Sequence, residues 1–559
     1  MPIRGGTKSD ELTRDGVPIQ HSIEDVDLVS TRQQAALGSP ENSGDSPAAG
    51  TGLAMYSRWM WREWEAPRRP ITLFAATGTA NLVLLVAVYG VLLRPHYTVD
   101  TYPDAVSGHL NSRAHLELGR IVNWLICGVL NRLNINVVEH QAAFAIIFMI
   151  IAAAFSAYVA VKFLRLSSVF SIVKLLVLDL AALLSVANIF ILEWYLFPEA
   201  VPCFSVGLLA TLVSVHFVTK ELRVSTVLAS VVCLYVALNV YQILIELFVI
   251  WTIAYVVVNY RFAIKRAVIH SVVILLAAGV AGIASIMTLR VVQWAGYAPI
   301  TNRDVNVSLS SLLKNFGYIG TSLQADVWFR GSGYMPFVNV AFGLVLVVCY
   351  VGCARGPKFK LWTIIPVLVI SYGITFFPNL LTATVWPAPR TLVGFYSFLA
   401  VGSIILTFAK DSKWVLRVLA IGLASFLAIN AYFVQTVAIG NFETNKLDQL
   451  TALQIQQQID DYEQATGITV TKIAVCDDAY PTYGYYGLVS VVSYDTNLRA
   501  FAVGWAAVPM IDFYTGMHYQ AVSMTDNAFS TYCADNNWDG FDPAKQLAFD
   551  GDTLNLAVY

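Results

Sequence analysis

The stretch Ala142–Phe163, with the sequence AAFAIIFMIIAAAFSAYVAVKF, decides how this chain is built. Its single charged residue, Lys162, lies next to its end, and Arg165 follows shortly after. A helix of about 20 apolar residues crosses the roughly 30 Å of hydrocarbon in a bilayer. The stretch therefore predicts a transmembrane helix with a basic end.

The whole chain shares this apolar character. Of its 559 residues, 57% are hydrophobic and 13% are charged, which is more apolar than the usual soluble domain. Similar stretches recur along the sequence, and we predict an all-α polytopic membrane protein with about 11 transmembrane helices. The predicted spans are Ile71–Leu93, Ala142–Phe163, Val169–Leu192, Val201–Val218, Val224–Asn239, Tyr241–Val258, Ala267–Leu289, Phe337–Cys353, Leu361–Phe377, Thr391–Phe408 and Val415–Val434.

Lysine and arginine return at every second gap between these spans. Cytoplasmic loops accumulate such charge, so the pattern predicts a cytoplasmic N-terminus and places the remaining gaps outside. The net charge of −2 gives no field that would attract nucleic acid. The basic residues at the inner gaps are Arg68, Arg69, Lys162, Arg165, Lys220, Arg223, Lys265, Arg266, Arg355, Lys358, Lys360, Lys410, Lys413 and Arg417.

Composition divides the chain into three predicted parts. Residues 1–66 are polar and rich in Gly, Ser and Pro, which is typical of a disordered cytoplasmic tail. Residues 67–436 form the transmembrane domain, and residues 437–559 a small extracytoplasmic α/β domain. In this last part a helical block, Asp448–Gln464, precedes an alternating strand, Ile468–Cys476. The export of this part would permit a disulfide between Cys476 and Cys533.

The first outer gap carries two acids, Asp100 and Asp104, just beyond the end of the first span. A carboxylate here is suited to deprotonating a sugar hydroxyl near a lipid-linked donor. The alternative is that both acids only solvate a loop. In the same gap, Ala114–Leu133 has a one-sided apolar stripe that is too short and polar to span, so it is predicted to lie in the outer interface.

The arginines on the predicted outer side, against the usual charge bias, include Arg113, Arg120 and Arg390. Arginine binds phosphate oxygens through paired hydrogen bonds, so a donor phosphate is one explanation. Pairing with Asp100, Asp104 or Glu199 is the plainer one.

Two further sets of polar residues have alternative interpretations. Tyr241 and Gln242 stand at another outer helix end, where the amide either holds a sugar hydroxyl or faces water. Four ionisable residues fall within predicted spans, where a buried charge is costly. They suggest either an ion path or contacts between helices, and we favour the contacts. These residues are Lys174, Asp179, His216 and Glu246.

The order of these motifs resembles a known family. The outer acids are followed by Leu118-Gly119-Arg120, then Tyr241-Gln242, and then Pro387-Ala388-Pro389-Arg390-Thr391-Leu392, and a polar exported tail closes the chain. The order is similar to that of the bacterial membrane glucosyltransferases that decorate O-antigen or other cell-wall polysaccharides, within the GT-C class. In that family the tandem acids usually stand adjacent, whereas here they are four residues apart, which leaves open which one is the base.

The resemblance implies a GT-C-like fold, a polyprenyl-phosphate-linked sugar as donor and an exported polysaccharide as acceptor. It also implies a catalytic carboxylate, Asp100 or Asp104, with a slight preference for Asp100 because it is nearer the membrane exit. We assign Arg113, Arg120 and Arg390 to the donor phosphate, and Tyr241, Gln242 and Glu199 to the sugar. The reaction needs no bound nucleotide, and a divalent metal is neither required nor excluded.

The predicted function is therefore transfer of a hexose, with glucose preferred, at the outer face of the cell membrane. Two other functions are alternatives, of which the sequence disfavours the first and does not cleanly separate the second from the predicted transfer. A transporter or flippase for lipid-linked sugars would use the intramembrane charges. A polysaccharide polymerase or ligase would use outer arginines in a similar way and would differ in product length.

Overall fold

The computed structural model describes residues 70–558, apart from 168–169, 262, 300–307, 325–326, 329–336, 355–363, 384, 386–387, 410–411, 477–495 and 535–540. The predicted tail 1–66 lies outside the described residues. Across the described ranges the chain is mostly helical, with strands in the C-terminal region, as predicted.

The helices follow one another closely, and most of them are apolar. They are α1 (Pro70–Tyr89), α2 (Thr101–Ser107), α3 (Ser112–Glu117), α4 (Ile121–Arg132), α5 (Gln141–Leu164), α6 (Ile172–Leu184), α7 (Ile189–Leu196), α8 (Val201–Lys220), α9 (Val224–Val240), α10 (Leu244–Asn259), α11 (Ile264–Trp294), α12 (Leu309–Tyr318), α13 (Val338–Ala354), α14 (Ile364–Ile374), α15 (Phe377–Leu380), α16 (Gly394–Ala409), α17 (Lys413–Thr466), α18 (Gly504–Thr515), α19 (Asp526–Tyr532) and α20 (Pro543–Gln546). Single turns at Gly90–Leu93, Pro198–Ala200 and Pro389–Thr391 join some of them.

Five of the described helices are long and apolar enough to cross a membrane, or six if one bent pair counts as a single span. These helices indicate a membrane protein, whereas the predicted count of about 11 transmembrane helices is not confirmed. Several predicted spans are apolar helices of 10–17 residues, shorter than the length that crosses the hydrocarbon core unaided.

The predicted single span Val169–Leu192 is wrong in one respect, because the helix breaks inside it. Helices α6 and α7 meet at an angle of 50°. The side chain of Asn188 accepts hydrogen bonds from the backbone N–H groups of Phe190 and Ile191, which starts a new helix at that point. Beyond the break, α7 continues to Leu196.

The predicted interfacial helix Ala114–Leu133 is also divided, into α3 and α4. Gly119 lies between them with φ of +69°, a conformation that glycine adopts without the steric cost of a side chain. A Cβ atom at this position would lie 2.7 Å from the side chain of Leu289 on α11. The turn therefore requires glycine for two reasons, its backbone angle and this close approach. It places Arg120 at the start of α4.

The last apolar helix does not stop where the sequence predicted. Helix α17 runs for 54 residues, so the predicted last span Val415–Val434 and the predicted block Asp448–Gln464 belong to one helix. Gly467 ends it in a left-handed conformation with φ of +73°. The C-terminal region is therefore continuous with the helix that begins in the apolar part of the chain.

The C-terminal sheet contains β1 (Lys472–Cys476), β2 (Gln520–Val522), β3 (Leu547–Asp550) and β4 (Thr553–Ala557). Its order is β2-β1-β4-β3, with β1 parallel to both neighbours and β3 antiparallel to β4. Lys472 pairs with Gln520 on one side and Thr553 on the other. Cys476 and Cys533 are both buried in one small cluster, where their thiols interact without a disulfide bond.

Charged residues within the apolar helices make contacts between helices. Asn81 on α1 donates to Asp179 on α6 at 2.9 Å and to Ser156 on α5 at 3.0 Å. Glu246 on α10 accepts the backbone N–H of Gly394 at 2.6 Å, at the start of α16. These contacts agree with our preference for helix packing over an ion path.

Candidate functional site

Asp100 and Asp104, the acids of the first predicted outer gap, lie just before and inside a short helix whose start is fixed by threonines. The hydroxyl of Thr101 accepts the backbone N–H of Thr98 at 3.0 Å, and α2 begins at Thr101. Asp100 precedes this helix and is exposed, whereas Asp104 lies one turn inside it and is 7% exposed. The two predicted acids thus have different surroundings despite their short spacing.

Asp104 is held by a neutral donor. Its Oδ1 atom accepts the backbone N–H of Asn111 at 3.0 Å. Burial raises the pKa of Asp104 to about 7, with smaller contributions from Cys127 and from the negative charge of Asp100. The carboxyl group therefore changes protonation near neutral pH, as a general base does when its pKa is tuned to the working pH.

Glu199 joins these acids from the turn Pro198–Ala200. The hydroxyl of Thr101 donates to its Oε2 atom at 2.8 Å, and both Asp100 and Asp104 interact with it electrostatically. We call Asp100, Asp104 and Glu199 the acidic cluster. Three carboxyl groups from two distant parts of the sequence therefore share one small region.

Arg120 lies against Tyr241, which is contributed by the turn between α9 and α10. The guanidinium carbon is 5.0 Å from the centre of the tyrosine ring, within the range of a cation–π contact. Asn123 on α4 donates to the carbonyl of Val240 at 3.1 Å and holds the two segments together. Tyr241 is buried, which raises the pKa of its hydroxyl, while the charges of Arg390 and Arg120 act in the opposite direction.

Arg390 is fixed by Glu193. Its Nη1 atom donates to Oε1 of Glu193 at 2.6 Å, and its backbone N–H donates to Oε2 at 2.6 Å. The guanidinium also lies 5.0 Å from the ring centre of Phe197 and donates to the hydroxyl of Tyr241. We call Arg120, Arg390, Tyr241 and Glu193 the arginine cluster.

Two cysteines connect the acidic and arginine clusters. Cys127 on α4 and Cys203 on α8 are both fully buried, and their thiols interact with each other. Cys127 interacts electrostatically with Asp104, and Cys203 interacts with both Arg120 and Glu199. The two clusters are therefore parts of one polar region built from α2, α4, α7, α8 and the turns before α10 and α16.

Two predicted site residues lie apart from these contacts. Arg113 is 84% exposed and pairs with Glu117 at 3.1 Å on the surface of α3. Gln242 is exposed beside the buried Tyr241. Across the described ranges, no group of three His, Cys, Asp or Glu side chains is arranged to hold a metal ion.

Glu193 and Thr101 were missed at the level of the sequence, although both contact predicted residues. An acid within the apolar run Ile189–Leu196 was the available signal for Glu193, because an ionisable residue in such a run needs a partner. No sequence signal distinguishes Thr101 from the other threonines of the outer gap.

The family model for the glucosyl transferase GtrII matches residues 89–407, more than half of the chain. The chain therefore belongs to the GtrII glucosyl transferase family. It is a glycosyltransferase, and its substrates are a sugar donor and an acceptor, which confirms the predicted family and enzyme class. No curated protein and no solved structure matches the chain.

Proposed function

We propose that this protein transfers a hexose, with glucose preferred, from a polyprenyl-phosphate donor to an exported polysaccharide at the outer face of the membrane. The observation that carries the proposal is that the acidic cluster adjoins the arginine cluster: Glu199, which accepts the hydroxyl of Thr101, stands two residues after Phe197, whose ring centre lies 5.0 Å from the guanidinium of Arg390. One end of this region supplies a base, and the other supplies cations for a phosphate leaving group. The fold we propose is of the GT-C type.

Asp104 is the base in this proposal, although its position in the sequence ranked it behind Asp100. Its burial and its pKa of about 7 make it a stronger base than an exposed aspartate. Asp104 removes the proton of the acceptor hydroxyl, whose oxygen attacks the anomeric carbon as the bond to the phosphate oxygen breaks. Glu199 and Asp100 complete the acidic surroundings of the acceptor.

Arg120 and Arg390 stabilise the negative charge that develops on the departing lipid phosphate. Both are held in place before the reaction, Arg120 over Tyr241 and Arg390 by Glu193. Cations that are oriented in advance need little reorganisation in the transition state. The charge bias of the sequence supports an outer location, because the acidic and arginine clusters come from gaps that lack the clustered lysines and arginines.

The test uses membrane vesicles of defined orientation supplied with polyprenyl-phosphate glucose and the acceptor polysaccharide. We expect transfer only where the outer face is accessible, and we expect Asp104→Asn to lower kcat by about 10²–10⁴-fold. The matched control is Asp461→Asn, on the exposed surface of α17, which should retain full activity.

Comparison with Asp100→Asn identifies the base, because this exposed acid should tolerate the change with less than about tenfold loss. Full transfer by Asp104→Asn at normal protein levels would end the assignment. Transfer confined to the cytoplasmic face would end the proposed sidedness.

A further inference from the structure

Glu193 stands where three parts of the chain meet. Its carboxylate binds the guanidinium and the backbone N–H of Arg390, and its Oε1 atom also accepts the hydroxyl of Thr496 at 3.2 Å. The side chain of Glu193 is only 2% exposed, and Thr496 is also buried. Thr496 lies beyond residues 89–407, the part of the chain that the family model matches.

The segment that carries Thr496 is clamped onto α17. Asn497 has a φ of +58° and donates to the carbonyl of Val437 at 3.0 Å. Arg499 pairs with Asp448 at 2.5 Å, and the same carboxylate accepts the backbone N–H of Ala500 at 3.0 Å. These contacts fix the residues that directly follow Thr496, so its hydroxyl is presented to Glu193 by the C-terminal region.

We propose that Glu193 is a positioning residue for Arg390, and that Thr496 of the C-terminal region completes the arrangement and tunes binding of the donor phosphate. This inference rests on the proposed function, since it takes Arg390 as a phosphate ligand. The C-terminal region is then part of the donor site.

The chemistry of the contacts explains this role. Glu193 holds Arg390 at two points, so neither the turn Pro389–Thr391 nor the guanidinium can rotate independently. A carboxylate this close also competes with a phosphate for the guanidinium. Thr496 donates a hydrogen bond to Oε1 of Glu193, the oxygen that the guanidinium of Arg390 contacts. This hydrogen bond reduces the negative charge on Oε1, so that Arg390 attracts the phosphate more strongly.

The test is a double-mutant cycle between Glu193→Gln and Thr496→Val in the full-length protein. Binding of a short-chain polyprenyl phosphate is followed by tryptophan fluorescence, since the indole of Trp194 donates to the carbonyl of Arg390 at 3.4 Å. We expect Thr496→Val to weaken binding roughly tenfold, as loss of a hydrogen bond to a charged group does. Thr496→Ser, which keeps the hydroxyl, should restore most of the affinity.

In the Glu193→Gln background, Thr496→Val should weaken binding further by less than about twofold, because the carboxylate that it serves is gone. The donor KM should rise more than kcat falls in Thr496→Val. The matched control is Thr531→Val, an exposed threonine in the same region, which should bind normally. If Glu193→Gln does not accumulate in membranes, the comparison of Thr496→Val with Thr496→Ser decides by itself.

Equal binding by Thr496→Val and the wild type, or full additivity in the cycle, would overturn the positioning role. Wild-type protein that fails to bind polyprenyl phosphate would overturn this inference and the proposed donor together. Normal binding and coupling without sugar transfer would contradict the proposed function alone.

Discussion

The acidic and arginine clusters hold their charges in opposite ways. In the acidic cluster, Asp104 and Glu199 accept hydrogen bonds from neutral groups, the backbone of Asn111 and the hydroxyl of Thr101. In the arginine cluster, Arg390 is bound by a carboxylate. Neutral donors in a buried setting leave a carboxyl group with a high proton affinity, whereas an ion pair fixes the direction of a guanidinium. Each cluster is thus suited to one half of a transfer reaction.

After loss of the base itself, we expect the largest loss of activity from Arg390→Gln, which removes one cation of the arginine cluster. We expect kcat for sugar transfer to fall by about 10²–10³-fold, because a fixed cation near the leaving phosphate is lost. The measurement is initial-rate kinetics in membranes with matched protein levels. Arg132→Gln, at an exposed arginine of α4, is the control and should leave kcat within about twofold of wild type. A comparable kcat for Arg390→Gln and this control would show that the arginine cluster has no role in chemistry.

The turn at Gly119, which places Arg120 in the arginine cluster, offers a second test of how that cluster is built. Gly119→Ala should destabilise the protein by about 1–3 kcal/mol, because the new Cβ atom meets Leu289 at 2.7 Å and the φ of +69° is strained for alanine. Gly128→Ala is the matched control. That glycine lies inside α4 with open space around it, and alanine should stabilise the helix by about 0.5–1 kcal/mol. Thermal unfolding of the detergent-purified variants measures both, and equal shifts would contradict the strained turn.

The smallest effect is a pH dependence that belongs to the acidic cluster alone. A base works only when it is deprotonated. We therefore expect kcat/KM to fall as the pH drops below about 7, the pKa of Asp104. One pH unit below this midpoint, kcat/KM should be roughly tenfold lower than on the high-pH plateau. Asp100→Asn should move the midpoint to lower pH, because the negative charge of Asp100 helps to raise that pKa. A profile that is flat between pH 5 and 8, or a midpoint that Asp100→Asn leaves in place, would remove Asp104 as the titrating group.

The class of protein and several candidate residues could be predicted because they follow from local signals. Apolar length predicted the membrane helices, and charge bias singled out Arg120 and Arg390 as exceptions that need a reason. The structure places these two arginines around Tyr241. Their assigned roles remain predictions.

The remaining features depend on long-range contacts that no local pattern reveals. Glu193 and Arg390 are 197 positions apart, and Glu193 and Thr496 are 303 apart. The divided interfacial helix depends on the approach of Leu289 to Gly119, which links the first outer gap to the end of α11. The apolar stripe of Ala114–Leu133 gave the helical period correctly and could not show where the axis changes.

The unbroken length of α17 has a mechanical consequence. Fifty-four residues at about 1.5 Å each make a rod of roughly 80 Å, more than twice the hydrocarbon thickness. The C-terminal end of α17 therefore has a fixed distance and a fixed rotation relative to its apolar N-terminal part. One residue inserted in the middle of the helix would rotate all that follows by about 100°. The distance from the apolar start of α17 to the C-terminal region is therefore set by the length and pitch of a single helix.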